Sequence, residues 1–261
     1  MMSNQNNIQD DVYKLESTAS DAQFAFREKL LEMYQKSPLS QEDLLFNVGL
    51  YTRSSVLVKF IVLNDLYKRF KHIPGMLVEF GTWYGHNLVL LENLRAIYEP
   101  FNKQRQIVGF DTFEGYSKPS DKDRQESGVW VENSYSTQAS YKDYLNELLQ
   151  VHEGNNVIGH KRGVHSLVAG DVTRTAPDFF ANNASSIIAF AYFDMGLYEP
   201  TLAALKAIKP HLVSGSILLM DELTWPESPG EALAFKEVFK TSEYSLEKCE
   251  LYPSKCIVTI K

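Results

Sequence analysis

At 261 residues, 44% of them hydrophobic, with a formal net charge of −7, the chain is long enough for one substantial core but cramped for two full domains. The acidic balance, pI ≈ 5.4, argues against a phosphate-tracking surface and therefore against nucleic acid as a partner. No uninterrupted apolar run approaches the roughly 20 residues that cross a bilayer, and the polar, acidic start "MMSNQNNIQDDVY" is unlike a secretory signal, so the sequence predicts a cytoplasmic protein with no membrane partner.

Residues 1–20 lack apolar periodicity and read as a disordered or partner-docked arm. "SDAQFAFREKLLEMYQKS" reads as an amphipathic helix with Ser20 as N-cap and Phe24, Leu31 and Tyr34 near helical spacing. The next stretch, from Ser40 to Pro74-Gly75, carries a capping signature and a long apolar face. Residues 21–73 are thus expected to form an N-terminal helical extension that covers a sheet edge or builds a contact between copies, which predicts a homodimer or higher oligomer.

After Pro74-Gly75 the period changes. "MLVEFGTWYGHN", "QIVGFDTFEG", "HSLVAGDV", "IIAFAYFDMG" and "SILLMDEL" are short, nearly continuous apolar runs, each ending in an acid or glycine. Segments of helical length lie between most of them, so residues 74–261 predict an α/β domain with a mostly parallel sheet covered on both faces. The tail "YSLEKCELYPSKCIVTIK" predicts an antiparallel hairpin around "YPSK". Its Cys249 and Cys256 could face each other across that hairpin; in a reducing compartment they read as two small buried apolar side chains.

In such sheets ligands bind beyond the carboxyl ends of the strands, where the strand order reverses. Glu79, Gly81 and Gly85 in "EFGTWYG" give a strand, a glycine turn and a helix start, less than a full G-x-G-x-x-G fingerprint, which either lets a cofactor approach the backbone and its free N–H groups or is turn chemistry alone. Asp111, ending the second strand, can accept both hydroxyls of a ribose, so turn and acid together indicate a nucleoside cofactor. Asp171, after the third strand, either borders the base or caps the following segment. Asp194 ends the fourth strand; Asp221 and Glu222 end the fifth. Three carboxylates at one spot repel one another. A divalent cation relieves this, and all-oxygen ligation favours Mg²⁺; the other reading has Asp194 or Asp221 capping helices or pairing with Lys or Arg.

With these residues located, the chain resembles the class I S-adenosylmethionine-dependent methyltransferases of the macrocin O-methyltransferase family, in the branch of dTDP-6-deoxy-L-hexose 3-O-methyltransferases. The resemblance is carried by "PGMLVEFGTWYGHNLVLLENLRAIYEP", "IVGFDTFEGY", "AYFDMGLYEPTLAALKAIKPHLVSGSILLMDEL" and "PESPGEALAFKEVF". It implies a seven-stranded Rossmann-like methyltransferase fold with the methyl donor lying over "EFGTWYG", bordered by Glu79, Gly81, Thr82, Gly85, Asp111, Thr112, Asp171 and Asp194. It implies Mg²⁺ at Asp194, Asp221 and Glu222, chelated by two neighbouring hydroxyls of a nucleotide-linked deoxysugar in polysaccharide or natural-product biosynthesis. Coordination would acidify a sugar hydroxyl and align it with the sulfonium methyl, with Asp194 as general base and Asp221 and Glu222 mainly as ligands.

The chain departs from that pattern where "FDxDxY" would place a second acid: here stand Met195 and Gly196. Glu222 also stands where macrocin-type members have an aspartate. His86, after Gly85, is an alternative base or packs near the cofactor's amino-acid end. Residues 116–137, polar and dotted with aromatics, are expected to form an acceptor lid, and Trp225 and Pro226 either the facing wall or a plain turn into a helix cap. Competing readings keep the donor but change the acceptor to an amine or to a phosphorylated or phosphonate metabolite, or make the chain a degraded binding module. A nicotinamide dehydrogenase is disfavoured, because Asp111 lies farther from the glycines than the roughly 20 residues of that fingerprint.

Overall fold

The computed structural model describes residues 20–123, 130–156 and 164–261. The arm expected before Ser20, and residues 124–129 of the expected lid, lie outside them. Two compact units divide between Ile61 and Val62.

In the N-terminal unit, helix α1 (Asp21–Gln35) starts at a reciprocal cap. Ser20 Oγ accepts from the Gln23 N–H at 3.3 Å, and the Gln23 side chain accepts from the Ser20 N–H at 2.8 Å. Helix α2 (Gln41–Phe46) starts at Ser40, whose Oγ accepts from the Asp43 N–H at 3.1 Å. The stretch from Ser40 is not one continuous helix; a short 3₁₀ turn at Val48–Tyr51 follows α2, and α3 (Ser54–Phe70) restarts the helical run. Polar side chains take the backbone acceptors at this break. The Asn47 amide donates to Asp43 O at 2.8 Å and the Thr52 hydroxyl to Val48 O at 3.1 Å. Phe24, Leu31 and Tyr34 stay largely exposed, Tyr34 resting edge-on against Tyr51 at 5.2 Å.

The larger unit is the expected α/β domain. Strands β1 (Met76–Phe80), β2 (Ile107–Asp111), β3 (Ser166–Ala169), β4 (Ile188–Phe193), β5 (Leu212–Met220), β6 (Tyr244–Lys248) and β7 (Cys256–Ile260) form one sheet in the order β3-β2-β1-β4-β5-β7-β6. The first five are parallel, and β7 runs antiparallel to both β5 and β6. Strands β1 and β4 are buried along their whole length, as continuous apolar runs require of a two-sided sheet. Helices α4 (His86–Tyr98), α5 (Tyr141–Asn156), α6 (Val172–Asn182), α7 (Tyr198–Ile208) and α8 (Gly230–Val238) cover it. Helix α6 is not among the segments expected to be helical; Val172, Ala176 and Phe180, at intervals of four, are its buried face despite Pro177.

Phe80, Phe110 and Phe193 meet in the core, with Phe80 4.9 Å from each of the other two ring centres. Residue Arg105 is fully buried and satisfies the backbone where α3 hands over to β1. Its guanidinium donates to the carbonyls of Lys71, Ile73 and Gly75 and pairs with Glu99. Both cysteines are free and buried. No helix among the described residues is long and apolar enough to cross a membrane.

Candidate active site

The strand order reverses between β1 and β4, which places the carboxyl end of β1 at the switch point of the sheet. Backbone bonds continue the ladder one residue past the strands. The Gly81 N–H donates to Phe110 O (2.9 Å), the Asp194 N–H to Phe80 O (2.9 Å) and the Asp221 N–H to Phe193 O (3.2 Å). The functional candidates therefore stand on fixed backbone at the ends of adjacent strands.

On one side lies the glycine turn. Gly81 has φ +86°, and a Cβ there would lie 2.1 Å from Asp194 O, so only glycine allows the ends of β1 and β4 to come this close. Gly85, at φ +73°, opens α4 without any side-chain cap, leaving the positive end of a 13-residue helix at the turn. Thr82 is buried, its hydroxyl donating to Phe110 O at 3.3 Å. Glu79 is buried at the end of β1 and accepts from the Asn87 amide at 2.7 Å. His86 is exposed at the first position of α4.

Asp111 knits this turn to the next. Its Oδ2 accepts from the Trp83 N–H (2.7 Å) and its Oδ1 from the Phe113 N–H (2.6 Å), leaving each oxygen a further lone pair. Trp83 and Phe113 both adopt positive φ, at 46° and 59°, a costly conformation for bulky side chains that clusters at functional sites. The Thr112 hydroxyl is engaged within its own turn, donating to Gly115 O at 2.7 Å and accepting from the Glu114 N–H at 3.1 Å. Asp171 lies on the same rim and caps α6, accepting from the Thr173 N–H at 2.9 Å. An uncapped helix start beside an acid with spare lone pairs fits a nucleoside-linked amino acid.

On the other side lie the acids. One oxygen from each of Asp194, Asp221 and Glu222 falls within 4.8 Å of the others. Glu222 Oε2 is buried without a hydrogen-bond partner. This set fits a hard divalent cation, which would complete that orphaned oxygen.

The structure adds three residues that sequence reasoning missed. Glu231 is fully buried behind the cluster, its Oε1 accepting from the Glu222 N–H at 3.1 Å. Burial and then the charge of Asp221 push its pKa up to about 8, while burial and then Glu231 hold the Glu222 carboxyl well above the usual range. The second is Lys255, whose ammonium contacts Asp221; the pairing of Asp221 with a lysine, open from the sequence, is thus present beside the possible metal set. The third, Trp130, is buried and donates from Nε1 to Ser228 Oγ at 2.7 Å. Tyr116 stands edge-on to it at 4.8 Å and Trp225 at 6.3 Å, so the segments around Tyr116, Trp130 and Trp225 meet.

Trp130 also accounts for Gly196. At φ +64°, a Cβ on Gly196 would lie 2.1 Å from the indole Cη2, so the place of a second acid is taken by the tryptophan ring. Gly196→Ala should displace Trp130, at a cost of about 1–3 kcal/mol, and shift tryptophan emission to the red; unchanged emission would contradict this packing.

The buried pair sets a pH dependence in chelator. Glu231 holds its proton up to about pH 8 when folded and releases it near the ordinary value of 4.5 when unfolded. The folded state binds more protons across that window, so stability should fall as pH rises through it. Urea unfolding in EDTA at both ends of the window checks this, and a flat profile would contradict the buried pair.

A family model described as a methyltransferase domain matches residues 78–223. A crystal structure of CalS11, described as a calicheamicin methyltransferase, superposes with TM-score 0.87 at 35% identity, covering 95% of this chain and 97% of that one. An apo structure of CalS11, described as a TDP-rhamnose 3'-O-methyltransferase of calicheamicin biosynthesis, does so with TM-score 0.81 at 33% identity, covering 95% and 99%. The O-methyltransferase NovP shares the fold, with TM-score 0.56 at 15% identity over 78% of this chain and 79% of that one. No curated protein matches the chain. With a family match over more than half its length and full-length similarity to CalS11, the chain belongs to the class I S-adenosylmethionine-dependent O-methyltransferases.

Proposed function

We propose that this enzyme methylates a hydroxyl of a nucleotide-linked 6-deoxyhexose, with Mg²⁺ as its metal. The observation that carries the reading is the convergence of Asp194, Asp221 and Glu222 at the ends of β4 and β5, across the switch point from the glycine turn. Its similarity to CalS11, whose acceptor is TDP-rhamnose, supports the sugar.

In this reading the N-terminal end of α4 takes the carboxylate of the methyl donor and Asp111 its ribose. Thr82 and Glu79 shape the turn beneath it; Thr112 and Asp171 border the base. Asp221 and Glu222 hold the ion together with Asp194. A bound Mg²⁺ would supply Lewis acidity that lowers the pKa of a sugar hydroxyl, otherwise a poor nucleophile at neutral pH. Asp194 would accept the proton of the acceptor hydroxyl as its oxygen attacks the sulfonium methyl, the S–CH3 bond breaking to leave S-adenosylhomocysteine. Tyr116, Trp130 and Trp225 exclude water from the acid cluster. Burial, followed by the negative charge of Asp194, keeps the Tyr116 phenol protonated well above the usual range.

The test is transfer of labelled methyl from S-adenosylmethionine to a panel of TDP-linked deoxyhexoses, with and without EDTA. Transfer that stops in EDTA and returns with Mg²⁺ is expected; equal transfer in EDTA would remove the metal, and donor binding without turnover on any acceptor would favour a binding module. The same reading takes the protein to be a cytoplasmic homo-oligomer. The exposed Phe26, Leu45 and Phe46 of the N-terminal unit support association, and a monomeric mass in light scattering would remove it.

A further inference from the structure

The register of β5 on β7, with Leu219 opposite Ile257 and Met220 opposite Cys256, continues one residue beyond both strands and sets Lys255 beside Asp221. The backbone there is fixed by a turn, in which the Lys255 N–H donates to Tyr252 O at 2.9 Å. Lys255 is 5% exposed. Its ammonium donates to Asp221 Oδ1 and, at 2.7 Å, to the Tyr192 hydroxyl. That hydroxyl donates onward to Asp194 Oδ2 at 3.2 Å. The rings of Tyr252 and Tyr192, centred 4.6 and 5.1 Å from Nζ, close the remaining sides.

A lysine carries its charge at neutral pH, and the contacts with Asp221 and, through Tyr192, with Asp194 place that one positive charge inside the acid cluster. Three acids alone at these separations would repel one another and splay apart or take up protons. With Lys255 in place Asp221 and, through Tyr192, Asp194 can stay grouped before any ion arrives. The same charge then opposes a dication entering at the oxygens it already touches.

We propose that Lys255 is a positioning residue and internal counter-ion. It holds Asp221 and, through Tyr192, Asp194 in the grouping a divalent cation uses, and it keeps that cation weakly bound and exchangeable. The inference rests on the metal reading above.

The test is calorimetric titration of the full-length protein with Mn²⁺, beside thermal unfolding in EDTA. It compares wild type with Lys255→Met, Lys255→Gln and Lys255→Arg; the glutamine variant, polar and uncharged, serves if the methionine one folds poorly. Both neutral variants should bind Mn²⁺ on the order of tenfold more tightly or better, whereas Lys255→Arg stays near wild type. A merely structural lysine would give the opposite sign, since disordering the acids weakens binding. In EDTA the neutral variants should melt lower by roughly 5 °C or more, with Mn²⁺ recovering the loss. Unchanged or weaker Mn²⁺ binding by both neutral variants would overturn the counter-ion role while leaving the metal reading intact. Absence of Mn²⁺ binding from every variant would overturn the metal reading and the claim of a weakened ion with it. An unchanged melting temperature in EDTA would overturn the positioning role whether or not metal binds.

Discussion

Asp194→Asn should lower kcat for methyl transfer by on the order of 10²–10⁴-fold, the range lost when a positioned general base is removed, with a far smaller change in affinity for S-adenosylhomocysteine. The substitution is close to isosteric, and the backbone is held independently by the Asp194 N–H to Phe80 O bond. The fold should therefore survive. The amide cannot take a proton from the acceptor, and it removes one negative charge from the oxygens of Asp194, Asp221 and Glu222. Mn²⁺ affinity should fall in parallel. Wild-type kcat in this variant would exclude Asp194 as base and move the role elsewhere, with His86 the first alternative to substitute.

Asp111→Ala should weaken S-adenosylhomocysteine binding on the order of 10²-fold or more. A charged hydrogen bond is worth about 1.5–3 kcal/mol, and two ribose hydroxyls are at stake. The structure gives the loss a second source, because the carboxylate also holds the N–H groups of Trp83 and Phe113. Both residues sit at positive φ and should relax once released. Calorimetry separates the contributions when Asp111→Asn is included. Its amide oxygen can still accept one backbone bond, so the turn should be better preserved while the charge is lost. Undiminished binding by both variants would leave Asp111 as a loop tie alone.

Much of this architecture is legible in the sequence because buried parallel strands leave a strong local mark. The runs ending at Phe80, Asp111, Phe193 and Met220 are mainly apolar on both faces and stop at acids or glycines, which gives both the sheet and the crowding of Asp194 against Asp221. Residues brought in by register or by loop packing leave no such mark. Lys255 reads as a turn lysine, and only the pairing of β5 with β7 takes it to Asp221. Glu231 reads as an acid in the first turn of a helix; nothing nearby in sequence signals that it is buried behind Glu222. Gly196 reads as a missing carboxylate until Trp130, far away in the chain, is seen to fill the space. The break after Phe46 is hidden for another reason. Apolar spacing continues through it, while the side chains of Asn47 and Thr52 take backbone acceptors and end the helical run.

The most direct measurement of the central claim is a carbon-proton correlation spectrum of the product formed from methyl-¹³C S-adenosylmethionine and a nucleotide-linked deoxyhexose. The account predicts one enriched methyl signal, coupled through oxygen to a single ring carbon of the sugar and formed on the order of 10²-fold or more slowly with Asp194→Asn. A methyl group on nitrogen, or on the nucleotide instead of the sugar, would contradict it.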